Sequence, residues 1–262
     1  CRRYRNSSTS LRYRWYCAFA ASSTRSRGRG RSTVTIPPIV AADATIVDTR
    51  SPLSYIFYWV IPFALLGCAV IASLLSHKAC DQISALYGQA EPFRSQVIMA
   101  RHGFGRGEYK YFDYPLPPLV ARLRSALYPR LVPIANRWHE QMDLPSRFPD
   151  SHPAFLERCH AAGQQRPTPL LLQYGPQDYN CLHQDLYGEH VFPLQVAILL
   201  SEPGEDFTGG EFVLTEQRPR MQSRPQVMPL RQGDALVFAV QQRPVRGQRG
   251  VYRVNMRHGV SR

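Results

Sequence analysis

Hydrophobic positions change their spacing along the chain, from a helical period in the first half to short apolar runs in the second. Apolar residues recur every three or four positions in three segments, which predicts helices over 78–90, 117–141 and 153–162. Pro129 and Pro133 lie inside the second segment, and we expect that helix to break near one of them. The third segment begins with a proline and is followed by Gly163, as is typical of a helix with defined ends.

Beyond residue 163 the apolar runs are only four to seven residues long and are separated by glycine, proline and aspartate. We predict strands over 168–174, 194–200, 211–215, 227–230, 235–240 and 251–257. Gly204 to Gly210 forms a glycine-containing loop between two of them, and Gln232-Gly-Asp234 marks a tight turn. Helices followed by many short strands indicate an α+β protein with a jelly-roll or barrel core.

The basic character of the chain is concentrated at its start. The net charge is +13, but residues 1–31 contain nine arginines and no acidic residue, so only +4 remains for the rest. We assign residues 1–50 to a basic, disordered extension, because they hold too little apolar surface to fold alone. The remaining charge is small, so we expect no nucleic-acid partner.

An apolar segment over 51–75 separates this extension from the folded domain. From Ser51 to Ser76 there is neither a charged residue nor a histidine, and about 20 apolar residues suffice to span a bilayer. Pro62 and Gly67 interrupt the run, and its end also fits the start of the next domain. A membrane anchor therefore stays open beside a cytoplasmic protein, with the domain itself placed at 76–262.

The six cysteines and the first residue give two smaller indications. The cysteines are scattered without a C-x-x-C pair, which indicates free thiols in a reducing compartment. The chain opens on Cys1 and its first methionine is Met99, so we expect a fragment of a longer protein.

Candidate metal chemistry comes from two histidines and one aspartate. His183 and Asp185 form a His-x-Asp pair, and His258 closes a predicted strand farther along. Side chains two residues apart in a strand share one face, so the pair can hold one ion. Two imidazoles and one carboxylate on one face are the ligand set of non-haem Fe(II) oxygenases, with positions left open for small molecules.

An ordered set of motifs resembles the Fe(II)/2-oxoglutarate dioxygenase superfamily, most closely its prolyl-hydroxylase-like branch. The set covers the domain from about Ser76 to Arg262. Its members, in chain order, are Gln173-Tyr-Gly, Tyr179, His183-x-Asp185, Phe207-Thr-Gly-Gly-Glu-Phe212, Arg231-Gln-Gly-Asp-Ala-Leu-Val-Phe238 and His258-Gly-Val-Ser261. The resemblance implies a double-stranded β-helix, a jelly roll with flanking N-terminal helices.

The same resemblance implies the ligands and cofactors. His183, Asp185 and His258 match the iron ligands, and Tyr174 matches a tyrosine that hydrogen-bonds 2-oxoglutarate. Fe(II), 2-oxoglutarate and O₂ are then required, ascorbate is a further expected cofactor, and each ligand histidine is expected to have a hydrogen-bonding partner. The chain departs from the pattern at its end, because the basic residue expected about ten positions past His258 is absent. We therefore expect a domain that lacks its last strand.

The implied activity is hydroxylation of a protein residue, an amino acid or a small metabolite, with succinate and CO₂ as co-products. Two alternatives stay open: a nucleobase demethylase of the same superfamily, and a jelly-roll module that binds a metal or ligand without turnover.

Overall fold

The computed structural model describes residues 13–18 and 66–262 apart from residue 187, and the rest of the chain lies outside this description. Three α-helices precede most of the strands: α1 (His77–Ala85), α2 (Pro118–Gln141) and α3 (His152–Ala161). The strands of the described residues are β1 (Tyr13–Ala18), β2 (Cys68–Ile71), β3 (Phe93–Ile98), β4 (Gly105–Arg106), β5 (Glu108–Phe112), β6 (Leu170–Tyr174), β7 (Tyr179–His183), β8 (Leu194–Leu199), β9 (Phe212–Gln217), β10 (Arg224–Met228), β11 (Ala235–Ala239), β12 (Gln242–Gly247) and β13 (Gly250–Val260).

The strands form two antiparallel sheets that enclose a core. The first sheet has the order β2-β11-β8-β1-β6-β5-β3, and the second has β10-β9-β13-β7-β4, with β12 paired to the first half of β13. Buried side chains of both sheets meet between them, as Phe238 of β11 does with Phe212 of β9. This arrangement confirms the predicted α+β class with a jelly-roll core.

The helices cover the outer face of the first sheet. Residues of α2 and α3, such as Leu127 and Phe155, share one buried cluster with Val196 of β8 and Val237 of β11. Because both faces of β8 and β11 are buried, these strands are apolar at every position except Gln195. The first sheet therefore lies between the helices and the second sheet. It forms one wall of the candidate functional cavity.

Helix α2 is continuous over 24 residues, so the expected break at Pro129 or Pro133 is wrong. Both prolines lie on the exposed side of the helix, one turn apart. The carbonyl groups that they leave without a helical donor therefore face water. The opposite side, from Val120 to Trp138, is buried and holds the helix against the sheet.

The N-terminal part departs from the predicted boundaries. Residues 13–18, assigned to the disordered extension, form β1 between β6 and β8. The last part of the predicted apolar segment forms β2, which pairs with β11 and is mostly buried, so the domain begins before residue 76. The remainder of that segment, 51–65, lies outside the described residues. In the part of the chain that the structure describes, no helix is long and apolar enough to cross a membrane.

Candidate metal centre

Two strands of the second sheet bring the predicted ligands together. β13 lies between β9 and β7, and its register places His258 directly opposite His183, the last residue of β7. Asp185 follows two residues later, just past the end of the strand. The fold thus places His258 beside a His-x-Asp pair that lies far from it in the sequence.

The possible ligand atoms of His183, Asp185 and His258 all lie within 4.8 Å of one another. The Nε2 atom of His183 is 3.5 Å from Oδ1 of Asp185, and the Nε2 atom of His258 is 3.3 Å from Oδ2. Two nitrogen donors and one carboxylate oxygen at this separation suit a single ion of the Fe(II) class.

Only one of the two histidines has the expected hydrogen-bonding partner. Nδ1 of His183 lies 2.7 Å from the carbonyl oxygen of Cys181, so it is a donor and leaves the Nε2 lone pair for the metal. Nδ1 of His258 is buried and has no hydrogen-bond partner among the described residues. Aromatic packing orients His258 instead. The centroid of its ring is 5.8 Å from that of Phe212, with the two rings nearly parallel, and 4.7 Å from that of Phe238.

The charge states of Asp185 and His258 suit metal binding. Burial acts to raise the pKa of Asp185, but hydrogen bonds and charge from His183 and His258 hold it well below its usual range, so the carboxylate is ionised. Burial lowers the pKa of His258 against the opposing effect of Asp185, which favours a neutral imidazole. For His183, burial lowers the pKa, but Asp185 and the Cys181 carbonyl outweigh it and the net shift is upward.

Gln195 is a residue of the candidate site that the motif analysis missed. Its Nε2 atom donates a 2.8 Å hydrogen bond to Oδ2 of Asp185, the oxygen nearest His258. The side chain is buried at only 5% exposure. A signal was present in the sequence, because Gln195 is the single polar residue of an otherwise apolar strand, Leu194–Leu199.

A cavity of about 320 Å³ opens onto the triad, a size at the lower end of ligand-binding pockets. Aromatic side chains form much of its wall, among them Phe104, Tyr109, Tyr111 and Tyr174. Tyr174, the predicted 2-oxoglutarate contact, is fully buried and lines this cavity. Burial, followed by the charge of Asp185, raises the pKa of Tyr109, so its hydroxyl stays protonated as a donor.

No lysine or arginine lines this cavity among the described residues. Arg262, the last residue of the sequence, lies over the ring of Tyr179, with 5.3 Å between the guanidinium carbon and the ring centroid. Its backbone oxygen accepts a hydrogen bond from Gly210. Outside the triad, the polar side chains that line the cavity are therefore the hydroxyls of three tyrosines, three side-chain amides and the thiol of Cys181.

The fold and the triad agree with the family that the sequence matches. Residues 107–262 match the model of a family described as "Oxygenase, catalysing oxidative methylation of damaged DNA". Because the match covers more than half of the chain, the chain belongs to this oxygenase family. The predicted membership of the Fe(II)/2-oxoglutarate dioxygenase superfamily is thereby confirmed.

Individual proteins are also similar to this chain. Two uncharacterized proteins, from two strains of Mycobacterium tuberculosis, are each 54% identical over 150 residues, covering 57% of this chain and 64% of their own length. The chain thus spans less than two thirds of these curated relatives. A crystal structure of a Pseudomonas putida prolyl-4-hydroxylase is similar at a TM-score of 0.42 and 13% identity, over 78% of this chain and 96% of that one.

Proposed function

We propose that the protein is an Fe(II)- and 2-oxoglutarate-dependent dioxygenase that oxidises a methyl group on a base in DNA. The observation that carries the proposal is the convergence of His183, Asp185 and His258 at the floor of an aromatic-walled cavity. The family description, which names damaged DNA, supports the nucleobase alternative over a protein residue, an amino acid or a small metabolite. It also runs against the expectation of no nucleic-acid partner, which was based on net charge alone.

The triad residues would hold the metal. Nε2 of His183, Nε2 of His258 and a carboxylate oxygen of Asp185 would be its three protein ligands, and Gln195 would keep the carboxylate in place. Bound Fe(II), with 2-oxoglutarate and O₂, supplies the oxidising power that inserts oxygen into a C–H bond, giving succinate and CO₂ as co-products. A methyl group oxidised in this way on a ring nitrogen is released as formaldehyde.

The cavity wall would position the organic ligands. Tyr174 and Tyr109 offer hydroxyl donors to 2-oxoglutarate, which would bind without a cationic partner from the described lining residues. Phe104, which lines the cavity and is 44% exposed, offers an apolar ring at its rim. A flat base removed from its stack would pack against such aromatic side chains and be read by the amide groups beside them.

The experiment measures two products with three classes of substrate. The full chain is incubated with Fe(II), 2-oxoglutarate, ascorbate and O₂, together with N-methylated DNA, the same DNA without methyl groups, or a mixture of peptides and amino acids. We expect succinate and formaldehyde in equal amounts only with methylated DNA. Succinate formation that depends on peptides or amino acids instead would overturn the choice of substrate.

A matched pair of variants ties the turnover to the triad. Asp185→Asn removes the ionised ligand and keeps the side-chain volume, so both products should fall to background. Asp81→Asn makes the same change at an exposed position of α1 and should leave turnover unchanged. Normal turnover in Asp185→Asn would contradict the proposed metal centre.

A further inference from the structure

The charge of the folded domain is unevenly distributed, which the net value conceals. Residues 66–211 contain twelve basic and fifteen acidic residues, whereas residues 212–262 contain ten arginines, no lysine and two acidic residues. Those two, Glu216 and Asp234, are 2% and 7% exposed. The surface contributed by residues 212–262 is therefore basic without exposed acidic groups.

Two hairpins of the second sheet carry most of these arginines. We define the arginine cluster as six exposed residues on β10, β12, β13 and the connecting turns: Arg220, Arg224, Arg246, Arg249, Arg253 and Arg257. Asn255 of β13 pairs with Gln217, the last residue of β9, so the β9–β10 turn extends past this point beside the β12–β13 hairpin. Glu216 of β9 pairs both with Arg218, beside the β9–β10 turn, and with Arg243 of β12, which agrees with this proximity.

The described residues leave most of this charge without a neutralising partner. Among the described residues, no ion pair involves any member of the arginine cluster, whereas Arg218 and Arg243 pair with Glu216. Arg253 donates a hydrogen bond to the carbonyl oxygen of Met142. The other five guanidinium groups are available to an external partner.

The arginine cluster and the metal centre share one strand. His258 is buried beside the cavity, and the preceding residue, Arg257, is exposed on the opposite side of β13. At about 3.3 Å per residue, the strand from Gly250 to His258 is about 26 Å long, and Arg249 lies in the turn that precedes it. This length is shorter than one turn of duplex DNA, about 34 Å, so one duplex can reach both ends of the strand.

We propose that the arginine cluster binds the phosphate backbone of duplex DNA while a base of that DNA enters the metal cavity. The entry of a base into the metal cavity rests on the proposed function, whereas the binding of phosphate by the arginine cluster does not. Arginine alone, without lysine, suits phosphate because its planar guanidinium makes two parallel hydrogen bonds to one phosphate group. Met221, Val227 and Val251 are also exposed near the cluster, so an anionic membrane and an acidic protein are the alternatives that the test must separate.

The test is a salt series of DNA affinity with the full chain. An unmodified duplex of about 20 base pairs, two helical turns, is labelled and titrated by fluorescence anisotropy without iron or 2-oxoglutarate. The variant Arg224→Ala/Arg246→Ala/Arg249→Ala removes three exposed charges that have no partner among the described residues. We expect its affinity at about 0.1 M salt to fall at least about tenfold, and the slope of log affinity against log salt to fall by about 3.

A charge-matched control keeps the loss specific. Lys78→Ala/Arg122→Ala/Arg166→Ala removes three exposed cations that lie outside residues 212–262 and should change DNA affinity by less than about twofold. Both triple variants should bind Fe(II) like the unaltered protein, which shows that they are folded. The basic N-terminal residues are the same in every variant and do not affect the comparison.

Two other outcomes would overturn the proposal or its choice of ligand. Equal DNA affinity of the cluster variant and the unaltered protein would overturn it. A fall in affinity for poly-glutamate or for vesicles with anionic lipid as large as the fall for DNA would overturn the choice of duplex DNA. Because the duplex is unmodified and no turnover is measured, failure of the demethylation assay leaves this binding result intact, and the reverse also holds.

Discussion

His183 and His258 stand opposite each other in the register of β7 and β13, and the centroids of their rings are 4.2 Å apart. The pairing of these two strands, rather than a local loop, therefore sets the distance between the two imidazole ligands. A register shift would separate the rings, because neighbouring strand residues point to opposite faces.

Gly259 allows this close approach of the two strands. A Cβ atom at residue 259 would lie 2.6 Å from the backbone oxygen of Asn180 on β7, so Gly259→Ala must push β13 away from β7. We expect Fe(II) affinity to fall at least about tenfold, as for changes that misplace a ligand. Gly88→Ala is the control, since a Cβ there meets nothing within 4 Å. Anaerobic Fe(II) titration of both variants measures the effect, and unchanged affinity in Gly259→Ala would refute it.

Gln195 should affect the metal through Asp185. Gln195→Leu removes the 2.8 Å hydrogen bond to Oδ2 and leaves the carboxylate free to rotate, so Fe(II) affinity should fall about 10- to 100-fold. Gln232→Leu makes the same change where the amide donates to the Leu200 carbonyl, at a residue that does not line the metal cavity, and should leave the affinity unchanged. Equal affinities of the two variants would show that Gln195 does not position the ligand.

A buried ion pair should dominate the stability of the second sheet. Glu216 pairs with Arg243, and both side chains are almost fully buried. Arg218 also pairs with Glu216. Glu216→Gln removes the buried carboxylate that pairs with both arginines, so the free energy of unfolding should fall by about 3–5 kcal/mol. Glu140→Gln, at an exposed position of α2, should change it by less than about 0.5 kcal/mol. Urea unfolding measures both, and a loss below about 1 kcal/mol for Glu216→Gln would contradict the expectation.

His152 should make the fold sensitive to acid. Burial, followed by the charge of Arg124, lowers the pKa of His152 from 6.5 to about 4. Between these two pKa values the unfolded chain binds the proton and the folded chain does not. The free energy of unfolding therefore holds its full value, as far as His152 is concerned, above pH 6.5 and declines as the pH falls towards 4. The shift corresponds to about 3 kcal/mol. His152→Gln should remove this part of the pH dependence of unfolding, whereas a slope identical to that of the unaltered protein would exclude it.

The fold class, the helices and most strands of the second half follow from the sequence, because their apolar spacing is dictated by the faces they bury. Residues 68–71 were harder to assign: an unbroken apolar run fits a membrane segment and a buried strand equally, and only the pairing of β2 with β11 decides. β3 and β5 were missed, since they lie on either side of the glycine-rich residues 103–107, which suggested a loop.

The candidate site shows the same division. The sequence indicated His183, Asp185 and His258 as one group, and the structure brings their ligand atoms together. The aromatic packing of His258 against Phe212 and Phe238 depends on three strands and could not be predicted from any one of them. Net charge concealed the arginine cluster, because the acidic residues of 66–211 offset it in the total.

His183, Asp185 and His258 should together bind one Fe(II) ion, and anaerobic titration calorimetry of the full chain measures this binding. We predict one ion per chain, with affinity at least about 100-fold weaker in His258→Ala, because loss of a ligand should exceed the effect of losing an outer contact. His77→Ala, at the exposed start of α1, should bind as the unaltered protein does. Fe(II) binding of equal affinity in His258→Ala and the unaltered protein would contradict the account.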